Sequence, residues 1–212
     1  EGQQMIRSNS NKQYLTIIDR NDQNHYGCNQ EWFGTKWQRL AGCGPSVASN
    51  IFGYLYKRNG YRNTNEFYTK SEFVTLMEEI WKHVTPTVRG VNTTKIFYKG
   101  LVSYAEIKNL NLSYRFLDII TDKHEKPSLS DITTFIAEGL EKDTPVAFLN
   151  LCNGKEKNLD KWHWVTVVSM ICTDDLSKVI LEIFDEGLIK QVDLKLWCET
   201  TTLGGGLVYA CI

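Results

Sequence analysis

Two periods of hydrophobic residues divide the chain. Over residues 45–57 the apolar positions Val47, Ile51 and Leu55 fall on one stripe, with Pro45 in the first turn and Gly60 as a stop, which predicts a helix. A second helix is predicted over 71–82, where Phe73, Leu76, Met77 and Ile80 share a face and Thr69 and Glu72 have the spacing of a capping box. Thr85-Pro86 ends that region. A third helix is expected over 94–108 from Phe97, Leu101 and Tyr104, with Gly100 as its weak point, and a fourth over 130–142 from Ile132, Phe135, Ile136 and Leu140. Between these two, LNLSYRFLDII alternates as a strand does at Leu110, Leu112, Tyr114 and Phe116.

The last third changes character. TPVAFLNLC, HWVTVVSMIC, KVILEIFD and GLVYACI are β-rich runs separated by turn-like stretches, with a short helix near 192–198. Helices in the first half and a mostly antiparallel sheet in the second make an α+β chain. At the N-terminus, residues 1–13 are polar and read as a loose segment, QYLTII reads as a short strand, and 19–37 read as loop. No repeat or linker appears, so the 212 residues read as a single domain.

Composition narrows the class by exclusion. A formal net charge of −1 gives no electrostatic footprint for nucleic acid or an anionic membrane. No apolar stretch reaches the ~20 residues of a membrane span. The first residues show no signal-peptide pattern, which together with cysteines in apolar runs leads to the expectation of a cytoplasmic protein, or an exported one if a signal was trimmed. The six cysteines are sparse for a chain of this size, and Cys152, Cys172 and Cys211 read as small buried hydrophobes. There is no CxxC pair, and His25 and Cys28 form a lone HxxC without a second pair, so neither a metal nor another cofactor is expected.

The candidate chemistry centres on QRLAGCGPSVASNIFGYL, residues 38–55. Cys43 stands at a predicted helix start, where free N–H groups and the helix dipole favour a thiolate. Gly42 and Gly44 beside it would leave room for a substrate carbonyl. A cysteine nucleophile needs an imidazole and a third group to orient it. Of the four histidines, His25 lies in a polar segment, His83 closes an amphipathic helix and His124 sits in the charged loop DKHEKP. His163 opens an apolar strand between Trp162 and Trp164, which makes it the best candidate base, although a histidine satisfied by backbone at a strand end fits the same pattern.

If TDDLSK is the turn of a hairpin centred near 174–176, His163 lies opposite roughly 185–188. Adjacent strands are about 4.8 Å apart, so Asp185 is within reach as the orienting carboxylate, with Glu186 the substitute if the register slips. Gln38, five residues before Cys43, is a candidate oxyanion donor with the Cys43 N–H, and Asn29 and Gln30 compete for that role. The tryptophans at 32, 37, 162 and 164 and Phe33 suit a groove wall or, for most of them, core and rim packing.

QRLAGCGPSVASNIF, followed far downstream by WHWVTVVSM and then IFDEG, resembles the papain-like cysteine peptidases, in particular their bacteriocin-processing branch (peptidase family 39-like). The resemblance covers about residues 37–187 and implies a papain-like fold, with a helical lobe carrying Cys43 and an antiparallel sheet carrying His163 and Asp185. It implies that Cys43 is the nucleophile, His163 the general base and then acid, Asp185 the orienter and Gln38 the oxyanion donor. The interval from Gln38 to Cys43 is about one residue shorter than the family pattern. The implied partner is a peptide or protein substrate, and no cofactor is implied. Papain-like scaffolds also host acyl transferases and transpeptidases, and an aromatic-lined cleft without chemistry would bind a peptide or glycan.

Overall fold

The computed structural model describes residues 3–212. Helix α1 (Lys36–Ala41) and helix α2 (Cys43–Arg58) are separated by Gly42 alone. Helix α2 is buried around most of its circumference, with Val47, Ala48, Ile51, Phe52 and Leu55 in the core, so it is the central helix of its lobe. Helix α3 (Lys70–Trp81) starts at the Thr69–Glu72 capping box expected from the sequence. Helix α4 (Thr94–Ile107) is capped by the Thr93 side chain, α5 (Leu129–Glu141) by a Ser128–Asp131 capping box and α6 (Leu194–Thr200) by Asp193. Side-chain oxygens thus satisfy the orphan N–H groups at these starts.

The main sheet is antiparallel, in the order β5 (Ser113–Ile119), β10 (Gly205–Cys211), β6 (Val146–Asn150), β7 (His163–Thr173), β8 (Val179–Asp185), β9 (Leu188–Asp193). Strand β7 is its axis. Its first half pairs with β6, its second half pairs on the same edge with β1 (Gln4–Ser8), and its other edge pairs with β8. Successive side chains of a strand point to opposite faces. Trp164, Ala147, Leu149 and Val208 accordingly pack under α2 and α4, while Val165, Val167, Phe148 and Leu207 pack with α5 and α6 on the other face. Both faces being covered explains why HWVTVVSMIC reads as an unbroken apolar run. A small second sheet joins β2 (Thr16–Ile18) to β3 (Asn24–Tyr26) and to β4 (Tyr68–Thr69).

Four expectations change. Residues 1 and 2 of the N-terminal segment lie outside the described residues, and the rest is not loose: β1 pairs along β7 from Gln4↔Thr173 to Ser8↔Ser169. A ladder needs only backbone, so a polar edge strand leaves no hydrophobic period to read. The stretch 13–18 divides between a 3-10 turn (Lys12–Leu15) and β2. The region 19–37 contains β3, a 3-10 turn (Gln30–Trp32) and the start of α1, all too short to show a period. Strand β9, absent from the sequence expectations, follows the Asp185-Glu186-Gly187-Leu188 turn. Glu186 and Gly187 both have positive φ, 53° and 76°, the geometry of a two-residue hairpin turn.

Candidate active site

Cys43 is the first residue of α2, two residues earlier than the apolar stripe indicates. Gly42 precedes it, no side chain caps this helix start, and the first N–H groups remain available for an anion. The flanking glycines have a different role from the one expected. A Cβ on Gly42 would run into the Gln38 carbonyl oxygen and lie 2.7 Å from the Phe33 ring, and one on Gly44 would lie 2.8 Å from the Val91 side chain. The space beside both glycines is therefore taken by protein. They let α1 and the 87–91 segment close on the helix start, and they do not open it to substrate.

Across from Cys43, β7 begins at His163 and β8 ends at Asp185. His163 Nε2 is 2.6 Å from Asp185 Oδ1. Lys190, on β9, donates from Nζ to Asp185 Oδ2 at 2.9 Å. Both members of the pair are buried, His163 at 7% and Asp185 at 6% exposure. Burial works against the imidazolium, but hydrogen bonds to Asp185 and to Cys43, with their charges, outweigh it and raise the His163 pKa to about 10. Burial likewise opposes the Asp185 carboxylate, yet His163 and Lys190 hold its pKa below the usual value. Cys43 and His163 border one small cavity together with Cys28, Gln30, Ser46 and Asp185. That arrangement suits nucleophile, base and orienter.

Gln38 is not part of it. Its side-chain oxygen accepts from the Thr35 backbone and hydroxyl in a capping box, and its Nε2 donates to Glu78 at 2.8 Å. Five residues along, it faces α3. Gln30 borders the cavity instead, with Nε2 donating to the Arg39 carbonyl at 2.7 Å and a second N–H left over. Asn29 turns to the Glu186 carbonyl.

The two tryptophans beside His163 separate because Trp162 lies just outside β7, where strand alternation would have put both on one face. Trp164 is 1% exposed, stacks on Phe97 at 4.3 Å and donates Nε1 to the Val91 carbonyl at 2.6 Å, so it supports the cleft from the core. Trp162 is 54% exposed with φ at 54°, a left-handed backbone that non-glycine residues adopt rarely. It walls a cleft of about 210 Å³ with Trp37, Leu40, Val88, Leu151 and Cys43. Phe33 is core, packed against Trp81, and Trp32 meets His25 edge-on.

The remaining thiols have other settings. Cys28 donates to the Ser46 carbonyl while His25 pairs with Asp19, so the HxxC residues turn to separate partners. Cys172 is buried, but Cys152 and Cys211 are only half-buried, because Cys152 lies just past the end of β6. Its sulfur accepts from Thr202 Oγ1 at 3.2 Å, which lowers its pKa to about 7. Sequence reasoning missed Lys190, because β9 was unread, and missed the 87–91 wall, a turn closed by Thr87 and Gly90. The loop 153–161 is tied down: Glu156 accepts from the Asn158 and Asp193 N–H groups, and Asn158 donates to the Gln191 carbonyl.

No protein-family model matches the chain, and no curated protein matches it. Among solved structures, that of UfSP from C. elegans is similar over 98% of this chain, with a TM-score of 0.57 at 12% identity. The chain spans 34% of the length of that one. At this identity the likeness is one of fold, and the fold of the chain is papain-like.

Proposed function

We propose that the protein is a cysteine-dependent peptidase that cleaves a peptide or amide bond through an acyl-enzyme on Cys43. The observation that carries this reading is the His163–Asp185 hydrogen bond facing Cys43 at an uncapped helix start. The raised His163 pKa favours the imidazolium beside the Cys43 sulfur.

In this mechanism the Cys43 thiolate attacks the scissile carbonyl carbon. The resulting oxyanion takes the Cys43 N–H and the spare N–H of Gln30. The tetrahedral intermediate collapses with proton transfer from His163 to the leaving amine. Water, deprotonated by His163, then releases the acyl group and restores the thiol. Asp185 orients the imidazole and balances its charge, and Lys190 steadies Asp185. The CGP and HWV motifs support a place beside the bacteriocin-processing branch, and the substrate is a peptide or protein. The six free cysteines support a reducing compartment, so the proposed location is the cytoplasm.

The test is Cys43→Ala. Hydrolysis of a fluorogenic peptide library should fall by 10⁴-fold or more on the order seen when covalent nucleophiles are removed, with the circular dichroism unchanged. Turnover equal to that of the wild type would sink the reading.

A further inference from the structure

The sheet side of the cleft holds more carboxylate than proton transfer needs. Asp160, just before β7, and Glu186, in the β8–β9 turn, stand beside the His163–Asp185 pair. One ligand atom from each of Asp160, His163, Asp185 and Glu186 lies within 4.8 Å of the others. The backbone fixes both added residues: the Asp160 carbonyl accepts from Asn150 Nδ2 at 2.6 Å and the Glu186 carbonyl from Asn29 Nδ2 at 3.1 Å. Their carboxylates are exposed and make no ion pair among the described residues. Lys190 is the cation bonded to Asp185, and its ammonium answers three carboxylates. A second observation comes from below. The Ser46 hydroxyl, 6% exposed, has no hydrogen-bond partner and borders the cavity shared by His163, Asp185 and Glu186.

We propose that Asp160, His163, Asp185 and Glu186 form a site for a divalent transition-metal ion such as Zn²⁺. One imidazole nitrogen with carboxylate oxygens suits that class of ion, whereas Mg²⁺ and Ca²⁺ favour all-oxygen sets. Tetrahedral ligands at the usual bond lengths stand about 3.3 Å apart, so the 2.6 Å His163–Asp185 hydrogen bond opens and the two exposed side chains close in around the pair. The ion displaces the proton between His163 Nε2 and Asp185 to solvent and takes over the Asp185 carboxylate from Lys190, and the unpartnered Ser46 hydroxyl is placed to hold a water at its edge. A ring that bears an ion on one nitrogen does not cycle between one proton and two. The bound ion therefore switches His163 off reversibly. That consequence rests on the peptidase reading; the binding itself does not.

The experiment is calorimetric titration of Zn²⁺, with Mg²⁺ as control, into the wild type, Cys43→Ala and Asp160→Asn/Glu186→Gln. The expected result is one Zn²⁺ per chain in the wild type and in Cys43→Ala, with no Mg²⁺ uptake. The double variant should bind on the order of a hundredfold more weakly, since even outer-shell changes at metal sites cost ten- to a hundredfold. Zn²⁺ should also inhibit wild-type turnover, chelator should restore it, and the double variant should turn over normally and resist the ion. Zn²⁺ binding lost in Cys43→Ala, or unchanged in the double variant, would overturn the site, because the thiolate and imidazole would then be the ligands. If the wild type shows no turnover on any peptide, the peptidase reading fails while the calorimetry still decides the metal site.

Discussion

On the helical side of the cleft, Cys43 is placed by backbone and by shape. A single glycine separates α1 from α2, no side chain caps the second helix, and Phe33 and Val91 press on the two glycines that flank the thiol. On the sheet side, His163 is placed by charge and hydrogen bonding, through Asp185 to Lys190 across a two-residue turn. The difference matters because the two sides fail differently. A helix start built from close contacts is damaged by added volume. A strand end built from ion pairs is damaged by lost charge and answers to pH.

After the nucleophile itself, the largest expected effect is on the sheet side. Asp185→Ala should lower kcat/KM on the order of a hundredfold, at the low end of what positioned acid–base groups contribute, and Asp185→Asn should recover the part due to orientation. The pH dependence follows from the two shifts. His163 is raised, so its pairing stabilises the fold fully below 6.5 and is lost as pH rises through about 10. Asp185 is lowered, so its contribution is present above 3.8 and is lost as pH falls through its folded value. The stability gap between wild type and Asp185→Asn should therefore be widest at intermediate pH and shrink beyond about 10. The alkaline limb of activity should move to lower pH in both variants. A gap that stays constant across that range would mean that the pair is held by packing, as the helical side is.

The helical side should give the converse result. A Cβ on residue 44 meets the Val91 Cβ and Cγ2 at 2.8 Å, so Gly44→Ala should cost about 1–3 kcal/mol, the usual range for overpacking. Since Val91 also holds the Trp164 indole through its carbonyl and lines the cleft, KM should rise more than kcat falls. Thermal melts and kinetics together check this, and Val91→Ala, which removes Cγ2 but keeps Cβ, should recover part of both. An effect that varied with pH, or that Val91→Ala failed to relieve, would remove the contrast between the two sides.

The same contrast explains what the sequence makes legible. The four long helices begin and end within two residues of their expected places because each carries an apolar stripe and three have side-chain caps. The position of Asp185 beside His163 is legible because hairpin register is arithmetic, and the structure pairs Thr166 with Phe184 and Cys172 with Val179. Gln38 was misread because position along the chain does not reveal orientation: one turn of α1 directs its amide to Glu78. The glycines were misread because absence of a Cβ looks the same whether a substrate or a neighbouring side chain fills the space. β1, α1 and β9 were hidden by being short, polar or at an edge, where backbone pairing or a local cap suffices without a hydrophobic period.

The smallest effect should come from Lys190→Met, and it separates two ways in which charge could act on the sheet side. Lys190 is half-buried and donates to the Asp185 oxygen that His163 does not use. If its role is to steady Asp185, kcat/KM should fall several-fold and by less than about tenfold, the scale of one partly exposed charge. Without the ammonium, the Asp185 carboxyl should titrate closer to its ordinary value, shifting the acid limb of stability upward. The alkaline limb should move up or hold, because one positive charge near the imidazolium is gone. Asp185→Ala moves that limb down, so the two variants part in direction as well as in size. If Lys190→Met instead lost as much activity as Asp185→Ala and moved the limb the same way, the lysine would be a full member of the catalytic network and the sheet side a four-residue unit.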